Sequence, residues 1–298
     1  MLRRRVSISD MLVTFVSYAT AIFAIVIILY PFTYITSMSI SEQAEAAAGN
    51  VWLFPKGFSL EAYKSIFRDG EIWIFALNSV YYTVVGTLLS LIVTTLAAYP
   101  LSRRDFYFRN FVMILVIITM FFSGGLIPFF IVVTRLGMID TRSAIILPAL
   151  VNSFNLVICR TYMQSIPEEM HEAAKIDGAR PFKIFCRIIV PLSKPMIAVL
   201  AIFYGVGNWN SFFSALLFLR NPKLFPLQLY LRRILIQASP EILQRMASFS
   251  AFHGNRNVFA YVQLKYAVVM VVVVPIICIY PFLQKHFEKG LMIGSLKG

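Results

Sequence analysis

The stretch that decides the fold runs from Ile72 to Ser102 and reads IWIFALNSVYYTVVGTLLSLIVTTLAAYPLS. It holds no Asp, Glu, Lys or Arg, and it exceeds the roughly 20 apolar residues a helix needs to cross a ~30 Å hydrocarbon core. Five more charge-free runs lie around it, at 11–41, 110–134, 143–159, 195–219 and 266–284. The runs at 143–159 and 266–284 are short for a span, but their interiors are almost wholly apolar. The fold class predicted is therefore all-α, a single polytopic membrane domain over 1–298. Its six helices are expected near 11–40, 72–101, 110–134, 143–160, 191–219 and 266–284. Barrel strands would be far shorter and would alternate.

Composition leads to the same place. The chain is 59% hydrophobic and only 14% charged, with a mean hydropathy of +0.75. A soluble globule of this size could not hide that much apolar surface. Arg3, Arg4 and Arg5 precede the first run, as they would in a signal peptide, and Ala44–Ala48 resembles a small-residue cleavage site. A signal h-region is only about 7–15 residues long, so the first helix is expected to stay as an anchor.

The net charge of +13 would suggest a nucleic-acid partner in a soluble protein. Here its distribution is an orientation signal instead. Fifteen Lys and Arg fall on the side of the N-terminus, the second and fourth connections and the tail, against twelve on the other side. Short loops rich in Lys and Arg stay in the cytoplasm, so both termini are expected inside. The fifth connection, 220–265, departs from this pattern with seven basic residues against Glu241 alone.

Enzyme chemistry finds no foothold. His171, His253 and His286 lack metal-ligand spacing. Cys159, Cys186 and Cys278 read as reduced packing residues. No G-x-x-x-x-G-K-[ST] occurs, so no nucleotide triphosphate is held by that route.

The fourth connection, 161–190, carries the most information. Pro167, Glu168 and Glu169 form a helix start with acids in the first turn. Met170, Ala173, Ala174 and Asp177 follow helical spacing, and Gly178 is a natural stop. A second helical segment is expected from Pro181 towards Pro191.

Glu172, Ala173, Ala174, Gly178, Ile188, Val190 and Pro191 match the E-A-A-x-x-x-G-x(9)-I-x-L-P signature, with Val190 in place of the usual Leu. The chain thus resembles the membrane subunits of bacterial ABC importers. Ile176, Asp177 and Ala179 resemble the carbohydrate-uptake branch, and so does the tail through Phe282, Lys289, Gly290, Gly294, Lys297 and Gly298. The likeness is greatest to oligosaccharide permeases of Gram-positive bacteria.

That resemblance implies a non-catalytic, multi-pass permease in the cytoplasmic membrane of a bacterium, working by alternating access. Its partners would be a second homologous permease, a cytoplasmic ATPase dimer, an extracytoplasmic solute-binding protein, a carbohydrate substrate and membrane lipid. No cofactor belongs to this chain, since ATP and magnesium would sit in the ATPase. Glu172 would anchor a coupling helix in the ATPase, Ala173 and Ala174 would form its close-contact surface, and Gly178 would be its turn. Asp177, Ile188 and Pro191 complete the coupling set. The plain alternative for this segment is an amphipathic interfacial helix, against which its balanced charge speaks.

Intramembrane polar residues mark candidate substrate paths. Asn152 and Asn155 cluster in the fourth helix, and Asn208, Trp209 and Asn210 lie in the middle of the fifth. Trp stacking on a sugar face with amides on its hydroxyls suits a carbohydrate, while helix–helix packing is the competing reading. Gly124, Gly125 and Pro128 interrupt the third helix as a kink or unwound turn, either a hinge or lining of the transport path or a simple packing kink. The fifth connection is expected to hold a helix over Leu224–Ile236 and to touch the binding protein. Its positive sign could attract an anionic glycan such as a uronate oligomer, or it is only a solvated face. Two rival functions stay open: a permease of the same type for amino acids or peptides, and a non-ABC channel or membrane scaffold.

Overall fold

A computed structural model of the chain describes residues 8–237 and 257–295. Arg3–Arg5, the 238–256 part of the basic connection, and Lys297 and Gly298 of the tail lie outside the described residues. Among those described, the secondary structure is helical, with one isolated bridge pair, Ser41 and Phe58. Three helices are long and apolar enough to cross a membrane, and up to six spans result if each of three bent pairs counts as one.

The chain divides into two units. The first takes the described residues as far as Asp69 together with Leu231–Val273. Here α1 (Ile8–Ile40) keeps its apolar side chains exposed as far as Phe32 and is buried only towards its C-terminal end. Two short helices follow, α2 (Gln43–Ala47) and α3 (Glu61–Arg68). Gln263, 0% exposed, shares its amide N–H groups among the carbonyls of Ser39, Ser41 and Ser59 at 3.3, 2.7 and 3.2 Å. Non-helical backbone at that depth needs such partners.

The second unit is organised around α4 (Gly70–Ser102). Beside Ile72, Phe75, Tyr82 and Leu101, its inward face carries small and polar residues: Ser79, Gly86, Ser90, Thr94, Ala98 and Ser102 are all buried. Many of its large apolar side chains, among them Ile74, Leu77, Val84, Leu88 and Ile92, stay exposed. This inversion of a soluble helix is expected where lipid is the solvent and helices associate by close approach.

Three other spans are broken, one of them where Gly124, Gly125 and Pro128 predict an interruption. The 110–134 run becomes α5 (Arg109–Phe121) and α6 (Leu126–Arg135), turned by 118°. Phe122 is extended, Gly125 takes φ 84°, and Pro128 is tolerated in the first turn of α6. Of the kink or unwound turn expected here, the structure has the unwound turn. The 143–160 helix is α7 (Ser143–Ala149) and α8 (Ser153–Gln164), bent by 45° after Pro148, with Asn152 capping α8.

The 191–219 helix also divides. A segment α10 (Pro181–Leu192) meets α11 (Lys194–Trp209) at 79° across Ser193, and a separate α12 (Phe213–Phe218) follows. Asn208 and Trp209 thus end a helix instead of occupying its middle, because Asn210 caps it. The Leu224–Ile236 expectation is met by α13 (Leu227–Gln237). The last helix, α14 (Asn257–Ser295), is longer than 266–284 in both directions, so the fifth connection is shorter than predicted.

Polar side chains of α4 satisfy the backbone at these irregular places. Asn78 Nδ2 donates to the carbonyls of Lys223 and Phe225, Tyr82 to that of Leu224, and Ser79 accepts the Leu227 N–H at 2.7 Å. An interhelical bond in a membrane contributes only about 0.6 kcal/mol on average. An orphaned backbone group in hydrocarbon costs several kcal/mol, so relief of that cost is the larger effect.

A Cβ on Gly86 would lie 2.9 Å from Asn208 Nδ2, whereas Gly207 has open space around it. Gly86→Val should cost about 1–3 kcal/mol by overpacking and Gly207→Ala close to nothing. Thermal unfolding in detergent reads both, and equal melting of the two variants would refute the close-approach account.

Candidate functional site

The segment at the C-terminal end of α4 is built as helix, turn and helix. Helix α9 (Glu168–Ile176) starts after Pro167 with Glu168 and Glu169 in its first turn. It ends in a Schellman turn: Gly178, at φ 72°, donates its N–H to Lys175, and the Ala179 N–H donates to Ala174, both at 3.0 Å. The chain then continues into α10. Pro191 has no N–H to give the carbonyl four residues back, and Phe185–Ile189 just before it is wound as a π-turn. Ile188 is half-buried against the core and Pro191 is exposed.

One face of α9 belongs to the chain's own core. His171 is 3% exposed and lies parallel to the Tyr99 ring at 5.9 Å, and Tyr99 meets Phe185 at 5.2 Å. Ala174, 6% exposed, packs with Met163, Ile184 and Phe185. The opposite face is open: Glu169, Met170, Glu172, Ala173 and Asp177 are exposed, and Ile176 is 86% exposed. The two alanines therefore divide, Ala174 inward and Ala173 outward.

The α4–α5 turn clamps this helix. Arg103 pairs with Glu168 and, at 3.5 Å, with Asp105, while Lys175 reaches Asp105 at 3.3 Å. The Arg103 hydrogen bond holds the Glu168 carboxyl below its ordinary value. Burial raises Asp105, but the Lys175 hydrogen bond and the Arg103 charge outweigh it and leave the group lowered. Burial, followed by the Arg103 charge, pulls the His171 imidazole below its ordinary 6.5. Sequence spacing gave no sign of His171, because its partner Tyr99 lies in another helix.

The path candidates separate by position. Asn208 Nδ2 donates to Thr87 Oγ1 at 3.3 Å in the notch left by Gly86, so it packs α11 on α4. Asn152 caps α8 through the Asn155 N–H, and its own N–H reaches the Tyr204 hydroxyl at 3.2 Å. That hydroxyl is 2.7 Å from Thr94 Oγ1. Asn155 is buried, while Asn210 is exposed and accepts from Gln228 at 3.4 Å. Trp209 lines a cavity of about 350 Å³ with Thr83, Thr87, Gly205, Pro275 and Ile279, and the Thr83 hydroxyl is buried without a hydrogen-bond partner. Thr83 and Thr87 are cavity-lining hydroxyls that sequence reading missed. Gly124, Gly125 and Pro128 line an open recess of about 560 Å³ at the α5–α6 break.

Towards the N-terminal end of α4, Arg142 lies over the Tyr81 ring at 4.4 Å and donates to Asn78 Oδ1 at 3.3 Å. Among the described residues no carboxylate forms a salt bridge with Arg142 or Lys223. The nearby Asp140, at φ 59°, accepts the N–H groups of Arg220 and Asn221 through one oxygen at 2.9 and 2.8 Å.

Apolar spans with broken partners, polar residues turned inward and a helical element presented at one end define a membrane transport subunit. The sequence model for the family described as "binding-protein-dependent transport system inner membrane component" matches residues 86–293, and the chain belongs to that family, a multi-pass permease of the cytoplasmic membrane. Among its relatives, protein LplC of Bacillus subtilis is 43% identical, over 91% of this chain and 90% of its own length. The B. subtilis polygalacturonan/rhamnogalacturonan transport system permease protein YtcP is 41% identical, over 93% and 94%. A solved structure of a bacterial ABC transporter involved in the import of the acidic polysaccharide alginate superposes with a TM-score of 0.84. Its sequence identity is 32%, covering 94% of this chain and 98% of that one.

The pH response of α9 follows from the three shifted groups. In the fold, His171 resists protonation while the unfolded state binds the proton, so stability falls as pH drops below about 6.5. Glu168 and Asp105, depressed by their cations, hold their contribution above the ordinary carboxylate range and lose it only in stronger acid. Amide-exchange protection of α9, corrected for intrinsic rates, should therefore decline between about pH 7 and 5. In His171→Phe that stage should vanish. A flat wild-type profile would discard the role given to His171.

Proposed function

We propose that this chain is one of two homologous permeases of an ATP-driven, binding-protein-dependent importer. Its cargo is an oligosaccharide that carries carboxylates, and it passes that cargo by alternating access. A single observation carries the reading: α9 is fastened by one face to its own core and leaves Glu172, Ala173 and Ile176 open on the other. A helix fastened in this way can transmit a push from a partner, where a helix floating on lipid could not.

In this reading α9 is the coupling helix. Glu172 is its polar anchor, Ala173 gives close approach, Asp177 and Gly178 form the turn, and Ile188 and Pro191 tie α10 to the first helical turns of α11. Ala174 serves by fixing α9 to the core. ATP and magnesium belong to a cytoplasmic ATPase dimer, and a solute-binding protein delivers the sugar on the opposite face. The six spans form one domain, with both termini and α9 on the cytoplasmic side, as the Lys and Arg distribution suggests. Gly124, Gly125 and Pro128 are the hinge of the third span. Trp209 with Thr83 and Thr87 offers a stacking face and hydroxyls to the sugar, while Asn208, Asn152, Asn155 and Asn210 shape the path around them.

The acidic cargo draws on two supports. The relatives include a polygalacturonan/rhamnogalacturonan permease and a structure from alginate import. Arg142, stacked on Tyr81, presents positive charge without a carboxylate salt bridge at the end of α4 that this topology places outside.

The test is uptake of labelled sugar by cells or proteoliposomes holding the whole importer. Glu172→Lys should abolish uptake at unchanged membrane abundance, and so should Gly178→Pro, since proline cannot adopt φ 72°. Normal uptake by both variants would end the coupling reading. Arg142→Gln should lower uptake of an acidic oligosaccharide about tenfold, the scale of one lost charge-assisted bond, and leave a neutral one unaffected. Equal loss for both sugars would remove Arg142 from cargo selection.

A further inference from the structure

A groove of about 620 Å³ opens at the C-terminal end of α4, between the ends of three apolar helices. Arg103, Arg104, Arg109 and Arg160 line it, and Glu168 and Glu169 form its rim. Glu168 is already committed to Arg103. Arg109 Nη1 donates to the Arg103 carbonyl at 3.4 Å and Arg160 Nε to the Leu101 carbonyl at 3.1 Å, which fixes their direction without neutralising them. Among the described residues neither arginine forms a salt bridge with a carboxylate, and Arg104 is exposed on the same wall. A guanidinium stays charged at every physiological pH. The repulsion among these half-buried arginines is therefore permanent unless an anion enters.

Depth identifies the anion. Ser102 ends α4, Arg109 opens α5 and Gln164 ends α8, so the groove sits where apolar helices meet water. Beside it Tyr107 and Phe108 are exposed, and an exposed apolar track of Phe111, Ile114, Leu115 and Ile118 leads away along α5. We propose that the groove holds the phosphate of an anionic phospholipid. Arg104, Arg109 and Arg160 would face the phosphate oxygens, and an acyl chain would lie along α5. The planar fork of arginine fits phosphate, and basic pockets at helix ends suit acidic headgroups. Inorganic phosphate or a soluble phosphate ester offers the same chemistry, but it has no use for the apolar track.

The full importer complex, reconstituted in nanodiscs of phosphatidylcholine with a minority of phosphatidylglycerol, supplies the test. Native mass spectrometry after transfer to detergent counts the lipids retained. Wild type should keep phosphatidylglycerol in preference to phosphatidylcholine, and Arg109→Gln/Arg160→Gln should retain about tenfold less. The matching Lys pair, which keeps the charge, should recover part of the retention. If the double Gln variant fails to accumulate, Arg104→Gln at the exposed position carries the comparison alone. Equal retention by wild type and variants overturns the site. Labelled inorganic phosphate bound in phosphatidylcholine-only nanodiscs, and displacing phosphatidylglycerol, would assign the groove to a soluble anion and overturn the lipid.

Discussion

The second unit depends on one constraint: the inward face of α4 is narrow. Gly86, Ser90, Thr94, Ala98 and Ser102 recur every fourth residue and are buried. Lipid offers no hydrophobic gain for joining two apolar helices, so association relies on how closely backbones approach and on the polar groups that then meet. Gly86 supplies the approach and Asn208, bonded to Thr87, fills the space. Thr94 meets Tyr204, and Tyr204 in turn takes the Asn152 N–H. A larger side chain anywhere on the stripe would separate groups that have no water to fall back on.

Polar side chains on α4 and its neighbours also answer part of the irregular backbone. A chain can leave helical geometry at membrane depth only where protein answers its backbone. The turn after Phe218 is answered by Asn78, Ser79 and Tyr82, and the break before α8 by Tyr204 together with the Asn152 cap. The Asp140 carboxylate does the same for Arg220 and Asn221. These three segments therefore each have a named partner on a neighbouring element.

The sequence was legible where one local rule dominates. Absence of charge located the membrane-crossing runs, and Pro167 and Gly178 marked the start and stop of α9, because capping chemistry acts within a few residues. The breaks at Ser193 and Asn210 were not legible, since an apolar run records depth and says little about direction. Helix positions within it are set by neighbours such as Gly86, far away in sequence. His171 and the Arg103–Glu168 pair escaped for the same reason: each interaction joins the α9 segment to the end of α4. Ala173 and Ala174 look equivalent in a motif, and only packing against Met163 and Phe185 tells the inward one from the outward one.

The position of α4 also ties the two ends of the unit together. It is one continuous helix, where its partners α5–α6, α7–α8 and α10–α11 are bent by 118°, 45° and 79°. At about 1.5 Å per residue such a rod is roughly as long as a bilayer is thick. Near one end, Tyr99 and Arg103 grip α9 through His171 and Glu168. Towards the other, Asn78 and Tyr81 hold Arg142. A rigid element touching both places can carry a displacement between them, whereas bent neighbours absorb it at their breaks. The imidazole of His171 and the charge at Arg142 thus bear on a single element.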